Sequence, residues 1–344
     1  MKLFCKGVGI TLLTLAFSLL SLSFVAAQDA VECEDGFRAI DHTMGASCVP
    51  ENPQRVVVLE WTYIEDVLAL GLQPVGVADI AGYNNWVKIP VALDENVVDV
   101  GTRNEPNLEV IAGLNPDLVI GVNFRLTENY DDLSAIAPTL AFNPYPDDFS
   151  VSQYDEMLAT FSTIADLLNR TDEGEAVLEA MQEHFADAEA ALEAAGRGGE
   201  DFILSQGWTT DSVATFRLFT DNAMAVQILE QIGLNNAWDD EPQLYGFTEI
   251  GIEGFSELSE ESFNFFYVAQ EGDNTFFADS PLWSNLGFVK DERAYWMGGD
   301  VWLFGGPLSA QLVVDTILQN MGVELVAAET DTNAPDNVEV TPDS

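Results

Sequence analysis

Positive charge is scarce in this chain, so three arginines, Arg103, Arg125 and Arg217, are the residues best placed to do chemistry. Lysine and arginine number 12 against 58 acidic residues, a formal net charge of −46. Arg103 lies in the loop Gly101–Pro106, where its planar donor fork can meet a carboxylate, hydroxamate or other anionic oxygen. An ion pair with Glu105 or Glu109 is its plainer role. Arg125 follows the apolar run Leu118–Ile120 through Gly-Val-Asn-Phe, a position that points off a sheet's carboxyl edge; the alternative is a surface arginine. Arg217, in ATFRLFTDN, is a less distinctive third candidate. Trp61, Trp86, Trp208, Tyr245, Trp302 and Phe304 sit in or beside loops rather than on periodic apolar faces, although most aromatics in such places serve packing. A cleft with one or two arginines and several aromatics suits a bulky, partly apolar anion.

Catalysis finds little support. The chain has no G-x-S-x-G, no P-loop and no G-x-G-x-x-G after a strand. Its two histidines, His42 and His184, fall on a lead-in segment and an acidic helix, where surface or packing roles are the plain reading. Dedicated zinc or manganese binding needs more imidazole than this. The acidic balance makes nucleic acid and anionic membrane surfaces poor partners.

The elements that must position these residues are organised around Val100–Gly121, which reads as a loop, a helix and a buried strand. Asn107 stands as the helix N-cap, Leu108, Ile111, Ala112 and Leu114 give an apolar face, and Asn115-Pro116 stops the helix before the strand Leu118–Ile120. Upstream, Arg55–Leu59 and Val75–Ala78 read as strands around a helix Ile64–Leu70, and Asp79–Pro90 as a loop exposing Tyr83 and Trp86. Strand Val97–Val100 precedes the organising unit; helix Leu133–Ala137 and strand Thr139–Phe142 follow it. Such alternation predicts a parallel, doubly wound sheet. Tyr154, Met157, Leu158, Phe161, Ile164, Ala165 and Leu168 then recur at helical spacing, and an acidic amphipathic helix covers Glu173–Ala195. Strand–helix alternation is expected to resume at Phe202. Glu249–Val268 echoes Glu105–Gly121, and GLNNAW after one helix echoes GLQPVG after another. The fold expected is therefore α/β: two doubly wound lobes joined by a long rigid helix, with ligand in the cleft where strand-end loops meet.

Residues 1–27 read as a secretory signal, with Lys2 and Lys6 before the apolar run Ile10–Val25 and a small-residue cleavage site; a single-pass anchor is the alternative. Residues 28–52 form an irregular lead-in, and a cysteine pair in an exported chain favours a Cys33–Cys48 disulfide there. The lobes are placed at 53–148 and 172–322, the joining helix at 149–171, and a disordered acidic tail at 323–344.

The chain resembles the periplasmic binding proteins of iron–siderophore ABC importers, the group with a rigid helix between lobes. The resemblance covers about Pro53 to Gly322. It rests on NPQRVVVLEW (52–61), LALGLQPVGVAD (68–79), VGTRNEPNLEVIAGLNPDLVIG (100–121), LSAIAP (133–138), IGLNNAW (232–238), SPLWSNLGFVK (280–290) and VWLFGGPLSA (301–310). The LEW, GVAD, Arg-x-Glu-Pro-Asn-Leu, NAW and VWxxG segments are similar to ferrichrome-type hydroxamate binders. That likeness implies that Arg103 meets the iron-bound oxygens and that Tyr245 and Trp302 line the second lobe's side. Phe304 departs from a tyrosine expected there. GVNFRLTENYDDLSAIAP instead resembles citrate-siderophore binders and implies that Arg125 grips carboxylate; the further C-terminal arginines of some carboxylate binders are absent. A mixed citrate–hydroxamate chelate would satisfy both halves. The resemblance also implies a monomer without cofactor or directly bound metal, docking on an ABC permease and its ATPase through Glu109 and Glu253. A haem or cobalamin carrier of the same fold and an exported enzyme are the other readings.

Overall fold

Val56-Val57-Val58 and Leu118–Val122 are apolar at every residue, and a strand of that kind must be covered on both faces. The computed structural model, which describes residues 31–258 and 262–325, provides that cover. The first half runs through β1 (Phe37–His42), β2 (Gly45–Pro50), β3 (Val56–Val58), α1 (Trp61–Ala69), β4 (Gly76–Val77), α2 (Ile80–Trp86), β5 (Val98–Asp99), α3 (Leu108–Gly113), β6 (Leu118–Val122), α4 (Asn123–Leu126), α5 (Tyr130–Ile136) and β7 (Thr139–Phe142). β3 to β7 form a parallel sheet ordered β5-β4-β3-β6-β7. Val56, Val58, Leu118 and Ile120 face one core with α1, while Val57 and Val119 face another with Ile111 and Leu133. The chain steps outward one way from β3 and the other way from β6, so a crevice opens beyond the carboxyl ends of these two neighbours.

Two helices follow, α6 (Gln153–Leu167) and α7 (Thr171–Ala194). Ser152 caps α6 by accepting from Asp155 N–H at 2.8 Å. This helix belongs to both cores: Phe161, Ile164 and Leu167 pack on the first sheet, Tyr154 and Met157 on the second. The second half comprises β8 (Asp201–Thr210), β9 (Val213–Phe219), α8 (Met224–Gln231), β10 (Asn235–Asn236), β11 (Phe247–Gly251), β12 (Asn264–Val268), α9 (Glu271–Ala278), α10 (Gly287–Lys290), β13 (Ala294–Trp296) and α11 (Pro307–Met321). A 3-10 helix at Ile252–Leu258 stands where the first half has α3.

Several expectations need correction. The second sheet, β11-β9-β8-β12-β13 with β10 beside the start of β8, is mixed and not doubly wound: β8 and β9 form an antiparallel hairpin in place of a strand followed by a helix. Its turn uses Asp211 and Ser212, both at positive φ, a pair that lacks the glycine by which such hairpins are usually recognised. The lead-in is not irregular either. β1 and β2 pair along their length, and Cys33 is bonded to Cys48 beside them. Residues 79–90 are not an open loop: Asp79 caps α2 by accepting from Gly82 N–H, Tyr83 is buried, and Trp86 packs on the core. Val323 is buried among the residues of α7 and α11, so the tail cannot begin there. The expected signal segment 1–27 and residues 326–344 lie outside the described residues.

A second tie joins the halves. Glu65 of α1, fully buried, accepts from the backbone N–H of Ser309 (2.7 Å) and from its hydroxyl, at the amino-terminal turn of α11. Burial pushes this carboxyl up, and the hydrogen bonds from Ser309, Gly306 and Leu308 oppose the shift. The approach requires Gly305 and Gly306, since a Cβ on either would collide with Ser309 or Asp66. Glu65→Ala, which strands the amino-terminal donors of α11, is expected to lower unfolding free energy by about 2–3 kcal/mol in urea denaturation. A loss below about 0.5 kcal/mol would show that the joint contributes nothing measurable.

Candidate functional site

The crevice between β3 and β6 is filled by one carboxylate and two guanidinium groups. Glu60, immediately after β3, caps α1 by accepting from Trp61 N–H at 3.0 Å. The same Oε1 accepts from Arg103 Nη1 at 2.7 Å, and Oε2 from Arg125 Nε at 2.8 Å. Glu60 is only 7% exposed. Arg103, on the loop after β5, lies over the Trp61 ring, its Cζ 3.4 Å from the centroid. That loop turns at Gly101 (φ +100°), where a Cβ would press on the Glu105 carbonyl, and it is pinned by a bridge between Gly101 and Pro106. Arg125, on α4 beyond β6, also donates to Asn104 of the same loop. Neither Glu105 nor Glu109 pairs with Arg103, so that alternative is corrected: its partner is Glu60.

The second sheet faces this group with Arg217 on β9. Its Nε donates to Glu249 (3.2 Å) and its Nη1 to Gln206 (3.2 Å), while its Cζ lies 4.4 Å from the Phe247 ring and 4.9 Å from Trp208. Aromatic contacts cross between the halves: Tyr145 meets Tyr245 edge-on at 5.1 Å, and Trp61 meets Trp302 at 5.2 Å. Together these groups enclose a cavity of about 1230 Å³, solvent at its mouth included, floored by Gln153, Glu156, Met157 and Thr160 of α6.

The cavity is electrostatically divided. Burial pushes the Tyr145 hydroxyl up, with Glu60 adding to the shift and Arg125, Arg103 and Arg217 opposing it. Burial also pushes Tyr63 well up, but its charged neighbours are Glu60, Asp66 and Glu156. Asp66 is driven far above the carboxylate range by burial and then by Glu65, and Glu156 is raised by burial against a hydrogen bond from Thr160. The Tyr63 hydroxyl, Asp66 Oδ1 and Trp302 Nε1 line the cavity with no hydrogen-bond partner among the described residues.

Of the residues singled out in the sequence, Arg103, Arg125, Arg217, Tyr245, Trp302 and Phe304 converge on this cavity. Three others do not line it. Trp61 is buried beneath Arg103, Trp208 stands behind Arg217, and Trp86 packs on the core at the end of α2. Sequence reasoning missed Glu60, Asp66, Glu156, Tyr63, Phe124, Tyr145 and Phe247. Carboxylates are too common here to stand out singly. Tyr145 offered one signal, its place between two prolines just after a strand. Glu109 and Glu253 are both exposed, at the first turns of α3 and of the 3-10 helix respectively. His42 bonds to Ser47 and Tyr130, and His184 lies 3.0 Å from Asp315. Among the described residues, no group of three or more His, Cys, Asp or Glu is arranged to hold a metal, and no helix is long and apolar enough to cross a membrane.

Comparison with known proteins follows the same geometry. A profile described as periplasmic binding protein matches residues 56–301. The Fe(3+)-citrate-binding protein YfmC of Bacillus subtilis is 31% identical over 83% of this chain and 86% of the relative. The iron(3+)-hydroxamate-binding protein FhuD of Escherichia coli is 29% identical over 79% of this chain and 88% of its own. Among solved structures, the Fe3+–Desferal-bound siderophore binding protein FhuD from Vibrio cholerae aligns with a TM-score of 0.70 at 28% identity, covering 77% of this chain and 97% of the other.

The raised Asp66 carboxyl has a stability consequence. Its folded value stands above its unfolded one, so its contribution is complete below the ordinary carboxylate range and is lost as pH rises through the raised value. Asp66→Asn cannot ionise, so its stability relative to the parent is expected to improve between about pH 4 and pH 8 in urea denaturation. A parent–variant difference that stays constant over that range would contradict the shift.

Proposed function

We infer the function from one premise: the chain belongs to the periplasmic binding protein family. It is an extracytoplasmic substrate-binding protein that captures a ferric siderophore of hydroxamate or citrate–hydroxamate type and passes it to an ABC permease for iron uptake. The observation that carries this reading is the convergence of Arg103, Arg125 and Arg217, from both sheets, on one aromatic cavity in a chain of net charge −46. Its relatives' names, iron(3+)-hydroxamate-binding and Fe(3+)-citrate-binding, support the same ligand class.

Capture follows from the donor geometry. Glu60 takes one N–H from each of Arg103 and Arg125, which fixes both planes while leaving further donors of each fork for the anionic oxygens of the chelate. Tyr145, Tyr245, Phe247 and Trp302 contact its apolar rim. Closure is modest, because a helix between lobes hinges less than loops do. The protein acts by binding alone, without a reaction of its own, and is exported by residues 1–27. Glu109 and Glu253 would dock on permease arginines, one from each lobe.

Tryptophan fluorescence of the mature protein tests the ligand class. The panel comprises ferrichrome, a citrate–dihydroxamate iron chelate, ferric citrate, haem and cobalamin, with iron-free controls. A ferric hydroxamate or citrate–hydroxamate is expected to quench with a Kd below about 1 µM. Arg103→Ala is expected to weaken it about tenfold or more, the loss of a charged hydrogen bond. Saturable binding of haem or cobalamin alone would sink the siderophore reading. For docking, Glu109→Lys with Glu253→Lys is expected to abolish uptake into cells while chelate binding in solution persists; normal uptake would remove both glutamates from the interface.

A further inference from the structure

We propose that the cleft contains a second polar subsite, formed by Tyr63, Asp66 and Glu156, that takes a protonated primary amine carried by the chelate. This rests on the reading of the cleft as a ferric-siderophore site, and it narrows the ligand to one with an anionic iron-binding portion and a cationic arm.

Tyr63 and Asp66 are three residues apart on α1 and so share a helix face, and both line the cavity although each is only 2% exposed. Their Oη and Oδ1 atoms have no hydrogen-bond partner among the described residues, which is costly for buried polar atoms unless something else meets them. Glu156 joins them from α6, with its Oε1 held by the Thr160 hydroxyl at 2.8 Å. The arginines do not satisfy this group. Among the described residues their side-chain partners are Glu60 and Asn104 for Arg103 and Arg125, and Glu249 and Gln206 for Arg217.

The subsite therefore offers two carboxyl groups and a hydroxyl and no cation of its own. An ammonium has three donors and no acceptor, and it supplies the counter-charge that a buried carboxylate needs. Burial holds Asp66 toward its neutral form, and an ammonium beside it would favour ionisation. A carboxylate arm is excluded here by the same groups, so the two ends of the cleft sort the two ends of the ligand.

The test compares the iron(III) chelate of desferrioxamine B, a linear trihydroxamate with one primary amine, with its N-acetylated form, by fluorescence quenching or calorimetry. The parent protein is expected to bind the amine form about tenfold tighter or more. Asp66→Asn, nearly unchanged in volume, is expected to bring that ratio to about one, and Tyr63→Phe to reduce it, whereas Arg103→Ala weakens both chelates alike and keeps the ratio. Equal affinities in the parent, tighter binding of the acetylated form, or a preference that survives Asp66→Asn would each overturn the subsite and leave chelate capture standing. Failure of either chelate to bind would overturn the capture of hydroxamates and the subsite with it.

Discussion

A nearly buried carboxylate cannot stand alone at the end of a strand, and Glu60 shows what it takes to keep one there. Its two oxygens accept from a helix N–H and from two guanidinium groups brought by separate loops. Removing either arginine would leave charge poorly compensated in a site of low polarity. The arrangement also works in reverse. Two guanidinium groups close together repel, and Glu60 offsets that repulsion while aiming both forks into the cleft. The start of α1, the Gly101–Pro106 loop and the turn after β6 are thus held by one side chain.

The position of that side chain follows from sheet topology. β3 and β6 are neighbours although α1, β4, α2, β5 and α3 intervene in the chain, and connections leave them in opposite directions. The crevice between their ends is where loops can diverge without colliding. Across it, the second sheet contributes Arg217 from an antiparallel hairpin, whose strand alternation turns Arg217 outward while Phe216 and Leu218 enter the core behind. Two chemically similar anchors therefore come from structurally different lobes.

Rigidity between the lobes has two sources. α6 places side chains in both cores, so any large rotation about it would expose apolar surface. Glu65 adds a buried polar tie from α1 to the start of α11. Both features argue for a cleft that is largely formed before ligand arrives, which limits the ordering cost of binding. The acidic surface and the few inward-facing arginines complete the contrast: positive charge is concentrated where an anion is wanted and is sparse elsewhere.

Much of this was legible in the sequence because it is short-range. The Asn107 cap, the stop at Asn115-Pro116, strand Leu118–Ile120 and the long periodic helix after Ser150 are set by neighbours within a few residues, and all appear as such. The scarcity of arginine singled out the three that line the cavity. Where the local signal was weak or borrowed from a neighbour, reading failed: Asp211-Ser212 lacks a glycine, and Tyr83 is buried only because α2 folds back on the first sheet. Which carboxylate serves the arginines was beyond the sequence. Glu60 reaches Arg103 across 43 residues and Arg125 across 65, while Glu105 and Glu109 lie far nearer in the chain. The sequence determined the elements and the rarity of the cations. Tertiary structure decided their partners, because strand order brings distant loops into contact, and burial there selects the one carboxylate that can be fully paired.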